Sequence, residues 1–222
     1  MKRIKDVFIN YKKDISYKLK ITILVQLIID IIFFLFELIL GIYYKSYWFL
    51  TLAAYYLILL ILRFVIFKYE KNNTLGENLN KEYKIFKISA YVLLIMNIIN
   101  IGLIILTFSD EQIINYHEYL IYGLAAFTFY STIMTIIKII KYKKYNSPII
   151  LLYKIISLFS SVISLLSLEI VMLNTFGSED SEISKWRFIG ITGLGIVILF
   201  ISISIYMIVL SKRRIYKENM LK

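Results

Sequence analysis

Cysteine is absent from this 222-residue chain, proline and histidine occur once each, and glycine only eight times. The first absence removes disulfides, thiolate metal sites and cysteine catalysis. A single histidine cannot form a ligand cluster, and so few backbone breakers leave little room for long structured loops. The chain also lacks HExxH, GxSxG and any glycine-rich phosphate loop. No enzyme activity, metal or cofactor is therefore expected. Acidic residues number 15 against 26 Lys and Arg, for a formal net charge of +11. That excess falls in short clusters between apolar runs, which is the pattern of topology signals, so no nucleic-acid partner is expected.

What the chain has in abundance is apolar surface. It is 59% hydrophobic and 18% charged, whereas a soluble domain is about 45–50% apolar with about 25% charge. A hydrocarbon core of about 30 Å needs roughly 20 apolar residues per helix. Six stretches meet that length: residues 21–40, 47–67, 88–108, 119–140, 149–173 and 188–210. The expected fold class is all-α, a polytopic membrane helix bundle forming one integral domain over residues 1–222. It has a basic segment at 1–20 and a basic tail at 211–222. The first stretch does not read as a cleaved signal, because it is too long and carries Asp30 and Glu37.

Of the 26 basic residues, 23 fall before the first stretch, in the second and fourth connections, or after the last stretch. In that partition Arg63, Lys138 and Lys154 are assigned to the nearest helix end. Only Lys45, Lys185 and Arg187 lie in the odd connections. The asymmetry predicts a cell-membrane protein with both termini in the cytoplasm. Tyr43, Tyr44, Tyr47, Trp48, Tyr116, Tyr119 and Trp186 form the matching outer aromatic belt. Ile4, Val7, Phe8, Tyr11 and Ile15 have helical spacing among lysines, so a helix lying on the inner leaflet and a basic tail are both open. Tyr-Lys pairs at 17–18, 83–84 and 153–154 open the odd helices, which suggests three repeated helical hairpins.

Ionisable groups in hydrocarbon are costly and usually face a bundle interior or a watery cavity. On the first helix Gln26, Asp30 and Glu37 fall within about 40° of one another. Asp30 lies about 15 Å past Lys20, near the midplane. Without a partner it would lose nothing in stability on replacement by Asn. Glu37 is close enough to the outer end to reach the interface. On the third helix Asn97 and Asn100 share a face with Ser89 and Thr107, at a depth that makes them the expected neighbours of Asp30. Ser157, Ser160, Ser161, Ser164 and Ser167 form a seam on the fifth helix, from which Glu169 points away. Small-residue stripes of this kind first imply close helix packing, as do Gly190, Gly193 and Gly195 on the sixth. The candidate intramembrane site is thus Asp30, Gln26, Glu37, Asn97, Asn100 and Glu169. His117, with Asp110, Glu111 and Glu118 near it, reads as a solvated turn.

Three stretches carry a resemblance: Ser46 through Leu52 with Tyr55 and Tyr56; Ser167, Leu168 and Glu169 through Met172 to Thr175, Phe176 and Gly177; and Thr192 and Gly193 through Tyr206, Met207 and Ile208. In these the chain resembles a family of uncharacterised six-helix membrane proteins of Gram-positive bacteria. The resemblance implies membrane location and this topology, and no activity.

Two functional readings follow. One is a small transporter or channel for an ion or small polar solute, lined by the polar stripes. The other is a non-transporting membrane subunit, a sensor, immunity or assembly partner acting through helix contacts. Its partners beyond the bilayer would be a second copy or another membrane protein. The near absence of helix interruptions favours the second reading, and the midplane carboxylate the first.

Overall fold

The structure, a computed structural model, describes residues 15–73, 75–76, 78–109, 118–141, 147–176 and 182–220. Six helices account for nearly all of them: α1 Ile15–Tyr44, α2 Tyr47–Asn72, α3 Leu79–Ser109, α4 Glu118–Lys141, α5 Pro148–Phe176 and α6 Glu182–Met220. Each is long and apolar enough to cross a membrane. The helices overrun the apolar stretches that define them, because nothing in their polar flanks breaks a helix. Pro148, the lone proline, opens α5 as its first residue, where its missing N–H leaves no bond unmade. Ile4, Val7, Phe8, Tyr11 and the His117 turn lie outside the described residues.

α1 and α2 form a tight hairpin. Lys45 takes the left-handed conformation (φ 53°), and the Ser46 N–H donates to Gly41 O at 3.2 Å, which closes α1 in a Schellman turn. A Cβ on Gly41 would stand 2.8 Å from Leu50 Cδ2 and 3.0 Å from Leu50 N, so glycine here lets the two backbones meet. At the other end Gly76 adopts φ 89°, and its N–H donates to Glu82 Oε1 at 2.6 Å. Ser147 Oγ donates to Glu82 Oε2 at 2.7 Å. One buried carboxylate thereby ties the α2–α3 turn to the start of α5.

The most extensive pairings are α1 with α2, α3 with α6 and α4 with α5. The first and third join consecutive helices, but of the hairpins in the repeat reading, α1–α2, α3–α4 and α5–α6, only the first is among these pairings. α5 is the central element: 67% of its most apolar stretch is buried, against 11% for α4. Its serine seam packs as expected, with Ser157, Ser160 and Ser161 buried and Ser161 Oγ donating to Thr132 Oγ1 of α4 at 2.9 Å. Of the α6 glycines, Gly193 lies against Ile104 of α3, so that a Cβ added to it would stand 2.8 Å from Ile104 Cδ1, whereas Gly195 faces open space. Leu24, Ile28, Ile32 and Ile39 of α1 and Ile133, Ile136, Ile137 and Ile140 of α4 are exposed. An apolar surface that continuous belongs against lipid. The described residues form an all-α bundle of six helices, each able to span a membrane.

Candidate functional site

The polar face of α1 turns inward. Gln26, Asp30 and Glu37 are all buried, while the aliphatic residues between them face outward, as an amphipathic stripe requires. Asp30 is the middle of α1 and forms an ion pair with Arg63 of α2, through Oδ2 and Nη1. The same Nη1 donates to the Gln26 backbone oxygen at 3.3 Å. The side chain of Gln26 reaches the opposite way, its Oε1 accepting from Lys138 Nζ of α4 at 2.5 Å. Arg63 is fully buried, and its Nε and Nη2 have no hydrogen-bond partner.

This cluster corrects two readings of the sequence. Arg63 and Lys138, counted with the helix ends, have buried side chains, and Asp30 is paired rather than alone. Nor does α3 supply its neighbours: the groups that meet Asp30 and Gln26 come from α2 and α4. Asn97 and Asn100 are buried elsewhere, in a helix that packs on α6, α2 and α5. Asn97 Nδ2 donates to Leu93 O at 3.1 Å, and both side-chain atoms of Asn100 are without partners. Glu169 is also apart, accepting from Thr192 Oγ1 of α6 at 2.8 Å.

The partner of Asp30 was nonetheless findable. Folding the chain back at the Lys45–Ser46 turn sets Asp30 opposite residue 61, so Arg63 lies within about 3 Å of the same depth. An ionisable residue of opposite sign at matched depth on the next helix is the expected solution for a midplane carboxylate.

Two chambers follow the seam between α1 and α4. The larger, about 200 Å³, is lined by Thr22, Val25, Gln26 and Ile29 of α1 and by Phe127, Ser131, Met134 and Lys138 of α4, among others. The smaller, about 20 Å³, is lined by Phe33 and Glu37 of α1, Tyr56 of α2, Thr128 of α4 and Ser164 and Ser167 of α5, among others. Between them the Phe33 and Phe127 rings lie 4.7 Å apart, and Phe33 also meets Tyr56 at 5.5 Å. Tilted aromatic contacts at these distances are attractive, so the rings form an apolar contact between the two linings. Glu37, whose position suggested a carboxylate reaching the interface, is buried against side chains of α2, α4 and α5.

The two chambers differ in charge. Beside the larger stand Lys138, Arg63 and Asp30, two cations against one carboxylate, and Lys138 has no carboxylate partner among the described residues. In the smaller, Glu37 is the one charged lining residue. No protein-family model, curated protein or solved structure matches the chain. The site therefore speaks through its own chemistry.

Proposed function

We propose that this is a small transporter of the cell membrane that passes an ion or small polar solute along the α1–α4 seam. The carrying observation is the arrangement of two chambers on one line with the Phe33–Phe127 contact between them. With both termini in the cytoplasm, as the basic residues favour, the larger chamber opens inward and the smaller outward. Lys138 and Gln26 then meet a solute on the inner side. The unmatched positive charge beside them favours an anionic or hydrogen-bond-accepting solute, since an uncompensated charge in low dielectric is costly. Arg63, with two nitrogens unengaged, can exchange Asp30 for another acceptor as the seam rearranges. Such a rearrangement is a two-state switch of packed helices rather than a broken-helix gate.

The second reading, a non-transporting membrane subunit, is favoured by one observation: none of the six spans is interrupted, and positive φ occurs only at Lys45 and Gly76 among the described residues. Uptake of labelled small anions by liposomes holding the purified protein separates the two. Saturable uptake that is lost in Lys138→Met supports transport. Absence of flux for every solute, with stable co-purification of a second membrane protein, supports the subunit.

A further inference from the structure

Glu37 is buried inside the bundle and has no counterion among the described residues. It is 6% exposed and its Oε2 has no hydrogen-bond partner. The nearest cation of the polar cluster is Arg63, which lies two turns, about 10 Å, along α2 from Tyr56, the α2 residue that lines the chamber with Glu37. Around Glu37 the lining supplies hydroxyls from three helices: Tyr56, Thr128, Ser164 and Ser167. Two of these turn oxygen, not hydrogen, toward further partners. Ser164 Oγ donates its single proton to Ser160 O at 2.9 Å. Its 3.0 Å contact with Tyr56 Oη is therefore donated by the tyrosine. Both protons are thereby committed, and the remaining lone pairs can only accept.

A space lined by one carboxylate and four hydroxyls, two with their protons already committed, beside Phe33, Leu124, Leu168 and Val171, suits a positive species that needs no further anion. The chamber volume of about 20 Å³ holds one particle the size of a water molecule. All-oxygen ligands suit a hard cation, and a single carboxylate balances one charge. We infer that the smaller chamber is a binding site for one small alkali cation, sodium-sized or smaller, held by Glu37 with Tyr56, Thr128 and Ser167. The site uses the same chamber as the transport reading but is a statement about binding: it can hold where no flux is found, and fail where flux is found.

The test is thermal unfolding of the full chain in nanodiscs, in lithium, sodium, potassium and N-methylglucamine chlorides at equal ionic strength. Binding to the folded state alone raises the unfolding temperature saturably. The expected result is a saturable rise in sodium or lithium over N-methylglucamine, smaller in potassium. Glu37→Gln abolishes it, while Glu169→Gln leaves it unchanged. Thr128→Val and Ser167→Ala, which keep the carboxylate, weaken the apparent affinity by about tenfold each. Identical unfolding in all four salts overturns the site, as does an ion-specific rise that survives Glu37→Gln. Should Glu37→Gln fail to fold, unchanged affinity in both hydroxyl variants overturns it equally.

Discussion

Asp30 of α1 and Arg63 of α2 meet as an ion pair at the centre of the bundle, with both side chains sealed from solvent. Each charge alone at mid-depth costs about 2.5–3.5 kcal/mol on insertion scales, so each residue is tolerable chiefly because the other is there.

Single and double replacement therefore differ. Arg63→Met or Asp30→Asn leaves one interior charge unpaired and is expected to destabilise by about 3–5 kcal/mol. That reverses the expectation for an unpaired Asp30. The double variant Asp30→Leu with Arg63→Leu is expected to recover most of the loss. A double-mutant cycle of unfolding in detergent measures this, and additive losses would show the pair to be uncoupled.

Lys138 has the opposite balance. Lys138→Met removes a buried cation that lacks a carboxylate, at the cost of one hydrogen bond to Gln26 worth about 1 kcal/mol. Stability should change by less than about 1 kcal/mol, while uptake of anions into liposomes disappears. A large loss of stability would show that Lys138 is structural.

How much of this was legible follows from what each residue depends on. The six spans and the inward turn of Gln26, Asp30 and Glu37 depend on composition and helical period, which a sequence carries directly. The role of Arg63 was hidden by its place near a span end, where a basic residue ordinarily marks topology; reading depth across the Lys45–Ser46 turn exposes it. Lys138 carried no such signal, since α4 is far from α1 in sequence and its approach is a tertiary fact. The same holds for Asn97 and Asn100, which match Asp30 in depth but lie on a helix whose main partner is α6. Removing Arg63 and Lys138 from the charge partition still leaves a strong bias.

That bias predicts the orientation. In the naturally cysteine-free chain, Lys45→Cys should react with an impermeant thiol reagent added outside intact cells, and Asn73→Cys only after permeabilisation. Outside labelling of Asn73→Cys would invert the topology.

The Glu82 tie is expected to be structural. Its carboxylate accepts from Gly76 N and Ser147 Oγ while itself fully buried. Glu82→Ala leaves both donors unmatched and should cost about 1–3 kcal/mol, without altering the ion dependence of unfolding. Unfolding in denaturing detergent measures the loss, and an unchanged midpoint would remove the tie from the account.

That the Phe33–Phe127 contact separates the chambers is tested most directly by thiol access in proteoliposomes of known orientation. Single cysteines at Thr22 and Ser131 report on the larger chamber, and at Thr128 and Ser167 on the smaller. The account predicts that an impermeant reagent reaches the first pair from one side only and the second pair from the other only. Phe33→Ala with Phe127→Ala should make all four accessible from both. Labelling of Thr22→Cys and Thr128→Cys from the same side in the chain with both phenylalanines intact, or one-sided access that survives their removal, would contradict it.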